Sequence, residues 1–162
     1  VRTTLQEMWG VDTDTLYDLA KKNTQRLFRG RVSSMMEVMA EIIGDSADTL
    51  DEGMVEAFFD MDVYEDSAFP MYVATNVSKM NGACILLYDG VLKKFAEKIG
   101  GDFYILPSSV HEVIFVPANG DMDARYLIQM VKEVNATEVA PDEVLSDNVY
   151  IYHADKDFVE II

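Results

Sequence analysis

The residues whose types could carry chemistry concentrate in one run, Ser108-Ser109-Val110-His111-Glu112. Serine beside histidine suggests acyl transfer, in which the imidazole takes the hydroxyl proton and a third group orients the ring. On that reading Ser108 or Ser109 is the nucleophile and His111 the base of a small hydrolase. Strand periodicity opposes the arrangement: if 110–116 is extended, His111 and Glu112 point to opposite faces, so Glu112 cannot orient the ring. A Gly-x-Ser-x-Gly elbow is also missing. The plainer reading makes Pro107-Ser108-Ser109 a turn whose hydroxyls bond local backbone, with His111 a satisfied histidine beside Val113 and Phe115. Pro107, Ser108, Ser109, His111 and Asn135 stand as candidate binding residues. A catalytic role falls to Ser108, Ser109 and His111 only in the hydrolase alternative.

Metal and cofactor chemistry finds little support. The only histidines are His111 and His153, and neither Cys-x-x-Cys nor His-Glu-x-x-His spacing occurs. Asp60-x-Asp62 and Asn119-x-Asp121-x-Asp123 both fail as calcium loops, lacking glycine at the sixth place. No phosphate loop or dinucleotide fingerprint is present, and Gly100-Gly101 reads as a helix end. We therefore expect no metal site and no cofactor. Cys84, the single cysteine, excludes an intrachain disulfide and reads as a small buried hydrophobe. Asn76, Asn81 and Asn135 suit turns and helix ends, where asparagine tolerates left-handed backbone and bonds its own chain.

Positioning these residues falls to elements legible in the pattern. Asp12 or Thr13 caps a helix reaching about Phe28, entered through Met8 and Trp9 and closed by Gly30. Ser34-Met35-Met36-Glu37 has capping-box spacing for a second helix, with Gly44 past its end. From Met71 the texture becomes short strands alternating with one-stripe helices: strands at 71–75 and 83–88 joined through Asn81-Gly82, then a helix at 91–99 capped by Asp89. Strands at 103–106 and 110–116 follow, then a helix started by Asp121 or Asp123 and a short one at Pro141. A last hairpin joins 149–153 to 158–162. The fold class expected is α+β: a largely antiparallel sheet of about five or six strands in β-β-α-β-β-α-β order, preceded by two N-terminal helices. Both faces of several strands are apolar, so both need cover, the second from the N-terminal helices or from a dimer partner.

Several strings resemble a bacterial family of unknown function common in anaerobic Gram-positive gut bacteria. They are Asn81-Gly82-Ala83, Val91-Leu92-x-x-Phe95-Ala96, 101–114 with its Leu-Pro-Ser-Ser-x-His-Glu signature, 134–139, 144–150, and the opening from Trp9-Gly10 to Asn23-Thr24. The resemblance spans nearly everything except 45–69. It implies that the chain is the C-terminal portion of a longer protein, in keeping with its start at Val1, and it implies no activity.

Composition bounds the rest. The 162 residues carry 13 basic and 29 acidic side chains, a formal charge of -16. Residues 1–32 are slightly basic, with six basic against four acidic. Residues 33–70 hold eleven acids and no Lys or Arg, and 71–162 hold fourteen acids against seven bases. Such a balance excludes a nucleic-acid or anionic-membrane surface. No membrane span or signal-peptide core is evident, and the default compartment is the cytoplasm. The organisation expected is a helical lead-in (1–44), a solvated acidic connector (45–69) with one amphipathic turn near Met54 to Phe59, and a sheet domain (70–162) compact with the lead-in. The function expected is non-catalytic: protein interaction or self-association, a homodimer included. An acidic decoy for a nucleic-acid-binding protein is a weaker third reading.

Overall fold

A computed structural model describes residues 1–46, 70–118 and 123–162. Of the connector expected over 45–69, residues 45–46 belong to a helix, and 47–69, with the amphipathic turn and Asp60, lie outside the described residues, as does 119–122. Helix α1 (Thr3–Trp9) ends at Gly10, whose left-handed backbone (φ 64°) lets its N–H reach the Gln6 and Glu7 carbonyls. Met8 and Trp9, expected to anchor the entering chain, sit on this helix and stay exposed. Helix α2 (Thr13–Leu27) starts where expected, with Asp12 Oδ1 accepting from the Thr15 N–H at 2.7 Å. Strand β1 (Gly30–Ser34) then leads into α3 (Met35–Ser46). The capping box forms reciprocally: Ser34 N–H donates to Glu37 Oε2 at 2.7 Å, and Glu37 N–H to Ser34 Oγ at 3.2 Å. Gly44, expected beyond this helix, lies inside it, since glycine weakens a helix without stopping it.

The remaining elements are β2 (Tyr72–Asn76), a 3-10 helix (Gly82–Leu87), α4 (Val91–Ile99), β3 (Phe103–Pro107), β4 (Val113–Pro117), α5 (Ala124–Thr137), β5 (Tyr150–His153) and β6 (Phe158–Ile161). Six strands form one sheet in the order β1-β2-β4-β3-β5-β6, every pair antiparallel. The architecture is α+β, with helices ahead of and upon the sheet.

One strand is corrected and another replaces it. Residues 83–88, expected as a strand paired through Asn81-Gly82, form the 3-10 helix. The run is continuously apolar, and without alternation a buried strand and a buried helical turn look alike. Gly82 packs so closely on β2 that an added Cβ would overlap Thr75 Oγ1 and the His111 carbonyl oxygen. Its turn therefore lies against the sheet instead of extending it. The place beside β2 is taken by β1, from a segment expected only as a helix end. One cap and one short helix also change. Gly90 precedes α4, while Asp89 pairs with Lys21 (3.0 Å) and Gln25 on α2. Pro141–Glu143 is a turn, not a helix.

Pleating sorts the core into two layers. On the first face Ala74, Phe103, Ile105, Val113, Phe115 and Tyr152 pack against Phe95 and Ala96 of α4 and Ala83, Ile85 and Tyr88 of the 3-10 helix. Phe95 meets Phe103 edge to face at 4.8 Å and Tyr72 edge to face at 5.0 Å. On the second face Leu106 and Val116 pack against Leu127 and Val131, one stripe of α5. The N-terminal helices cover only part of that face: α3 brings Val38 and Ile42 over Val73 and Thr75. Helix α2 lies instead outside the 3-10 helix and buries no residue. Cys84 is half-buried there, its Sγ 3.5 Å from the Tyr88 hydroxyl.

Candidate functional site

The β3–β4 loop carries the serines and His111, and it is tied down from several directions. Ser109 N–H donates to the Glu112 carbonyl (3.1 Å), Val110 N–H to the Glu143 carbonyl (2.9 Å) and Thr75 Oγ1 to the His111 carbonyl (2.8 Å). Ser109 Oγ accepts from the His111 N–H at 3.0 Å, a local hydroxyl-to-backbone turn. The imidazole looks elsewhere. Its Nδ1 accepts from the Asn81 N–H at 3.0 Å, which leaves the proton of the neutral ring on Nε2, 3.4 Å from Glu143 Oε1. A nucleophilic pair would need a serine hydroxyl on one of those two nitrogens. Glu112 diverges from His111 and lines a cleft of about 210 Å³ with Arg31, Glu41 and Lys79. The carboxylate facing His111 is thus Glu143, 32 positions along the chain.

Pro107, Ser108 and Asn135 meet at a different place, an apolar cleft of about 160 Å³ between α5 and the sheet's second face, beside Met71, Ile114 and Met130. Asn135 is 8% exposed, and its Nδ2 donates to the Ser146 carbonyl (3.0 Å) and Asp147 Oδ1 (2.8 Å), pinning the chain that enters β5. Two acceptors on that nitrogen fix which way the amide points. Its Oδ1 is buried and makes no hydrogen bond among the described residues. The five candidate binding residues therefore fall into two groups: Pro107, Ser108 and Asn135 at the cleft, Ser109 and His111 at the polar loop. Asn76 and Asn81 do turn work: Asn76 Oδ1 accepts from the Ser78 N–H at 2.9 Å, and Asn81 adopts φ 49°.

The sequence pattern of DUF5688, a family of unknown function, matches residues 1–154. The chain belongs to DUF5688. No curated protein matches the chain, and no solved structure does. The DUF5688 match takes in the helical lead-in, five strands and all five candidate residues, and it stops ahead of β6. None of the described helices is long and apolar enough to cross a membrane.

At the β5–β6 end of the sheet, partly inside the DUF5688 match and partly beyond it, lies a cluster that sequence reasoning missed. His153 Nδ1 is 3.0 Å from Asp102 Oδ2, and Nε2 is 3.2 Å from Glu160 Oε2. Asp102 Oδ1 also accepts from the Ala154 N–H at 2.8 Å. The Asp102 hydrogen bond, then that of Glu160, raises the His153 pKa above its ordinary value. The Ala154 N–H, followed by His153, lowers that of Asp102. Only the register exposes this neighbourhood: Phe103 opposite Tyr152 brings Asp102 level with His153, 51 positions away.

A further cleft of about 420 Å³ opens on the first face near the β5–β6 end, walled by Leu87, Leu92, Ile105, Leu145, Tyr150 and Val159. The Ser146 and Tyr150 hydroxyls, 3.1 Å apart, supply its polar contacts.

Proposed function

We propose that this domain is a non-catalytic self-association module of a longer bacterial protein, pairing the outer edge of β6 with β6 of a second copy. The observation that carries the reading is the character of that strand. Phe158, Val159, Ile161 and the following Ile162 are all exposed, and among the described residues no strand lies beyond β6 in the sheet. An apolar edge with unpaired backbone groups is a template for another strand. Alternation puts Val159 and Ile161 on the first face, continuous with the 420 Å³ cleft, while Phe158 and Glu160 take the second. Two-fold antiparallel pairing keeps each face continuous across the junction, so Val159 and Ile161 of both copies share one apolar surface.

Charge opposes the pairing, since each copy carries a formal -16. Salt screens that repulsion and leaves apolar burial intact, so association tightens as ionic strength rises. Light scattering coupled to size exclusion, across protein concentration and from low to high salt, tests this. A dimer fraction that grows with both, and is lost in Val159→Asp and Ile161→Asp, is the expected result. A monomer throughout overturns the reading.

A further inference from the structure

The β5–β6 turn brings a histidine and two aspartates from distant positions to one point. One ligand atom from each of Asp102, His153 and Asp155 lies within 4.8 Å of the others. They come from the α4–β3 connection, the end of β5 and the turn that follows it, so backbone pairing between β3 and β5 holds the set together.

Two further contacts set this cluster apart from an ordinary group of surface acids. Glu160 Oε2 stands at Nε2 of the imidazole, across the ring from Asp102. Once an ion displaces the proton between Nδ1 and Asp102, a carboxylate there accepts the remaining Nε2–H, the arrangement by which an outer carboxylate orients a metal-bound histidine. The Ala154 N–H on Asp102 Oδ1 fixes the other donor, so that Oδ2 faces the imidazole. The Nδ1 to Oδ2 spacing of 3.0 Å is that of two adjacent ligands about 2.1 Å from one ion, subtending nearly a right angle.

We propose that Asp102, His153 and Asp155 form a binding site for a first-row divalent transition-metal ion, with Glu160 and the Ala154 N–H as its outer support. One imidazole with two carboxylates selects such an ion over magnesium or calcium, which take oxygen ligands. Three protein ligands leave the remaining positions to water or an exchangeable anion. The site does not depend on pairing through β6.

Cobalt(II) is the probe, because its visible absorption reports the coordination. The whole chain is titrated by calorimetry and absorption with excess magnesium present, which occupies non-specific acidic positions. The expected result is one cobalt per chain, with affinity reduced roughly tenfold or more in Asp155→Asn and in His153→Gln, and less in Glu160→Gln. Asp155→Asn leaves the His153 contacts to Asp102 and Glu160 in place, and circular dichroism checks that each variant is folded. Binding displaced by magnesium, or undiminished in both Asp155→Asn and His153→Gln, overturns the proposal and assigns the uptake to acidic residues elsewhere.

Discussion

The Tyr88 hydroxyl donates to the Phe28 carbonyl at 2.7 Å, joining the 3-10 helix to the residue that ends α2. Because α2 buries no residue of its own, this bond does much to keep the helix on the domain. Tyr88 is itself buried, and that burial, with the nearby Cys84 thiol, pushes its pKa up and keeps the phenol a donor. Tyr88→Phe keeps the ring packing, loses one hydrogen bond and leaves a carbonyl unpaired. A cost of about 1 kcal/mol is expected in urea unfolding, with faster amide exchange along α2.

Glycine positions offer a paired test. Gly82→Ala places a methyl on Thr75 Oγ1 and the His111 carbonyl, both held by their own hydrogen bond. Overpacking at such a site is expected to cost about 3 kcal/mol and to lower Tm by roughly 6–12 °C. Gly44→Ala meets open space in a helix, and is expected to stabilise by about 1 kcal/mol. A scanning calorimeter reads both, and equal effects would contradict the packing described for Gly82.

Acid should loosen α2 before the sheet. The Gln25 hydrogen bond, then the Lys21 pair, lowers the Asp89 pKa below 3.8. A depressed carboxylate contributes stability that is complete above its unfolded value and is lost as pH falls through the folded one. Protection of α2 amides should therefore hold at pH 5 and weaken below pH 3.8, ahead of the sheet amides. Asp89→Asn should show the weakened state already at pH 5.

The serine loop can be probed chemically. Ser109 Oγ accepts from its own turn and His111 faces Asn81 and Glu143, so among the described residues no serine hydroxyl is bonded to the imidazole. A fluorophosphonate probe should label wild type and the Ser108→Ala and Ser109→Ala variants alike. Labelling lost in either variant would establish the hydrolase alternative.

What is legible in the sequence is whatever short-range chemistry controls. The Asp12 cap, the Ser34–Glu37 box, the Asp123 cap and the stripes of α4 and α5 depend on residues within a few positions of one another, and all formed. Strand β1 escaped because Gly-Arg-Val-Ser-Ser carries no alternating apolar signal and becomes a strand only by pairing with β2. The 3-10 helix escaped because a uniform apolar run has no period to read. Site geometry was hidden for the same reason as β1. His111 meets Glu143, and His153 meets Asp102, only through contacts between distant segments.

The order β1-β2-β4-β3-β5-β6 also bears on how the chain folds. Two hairpins, β3–β4 and β5–β6, close over a handful of residues and can form early. Strand β1 must find β2 with Gly30 opposite Asn76, closing a far longer loop that passes through α3 and the acidic stretch. Loop-closure entropy grows slowly with length, so doubling that stretch would cost only about 0.6 kcal/mol. Pairing of β1 with β2 therefore belongs, with the β2–β4 and β3–β5 pairings, to the long-range contacts that form more slowly than the hairpins, and the region between α3 and β2 is where insertions or deletions can accumulate across evolution with least effect on the finished domain.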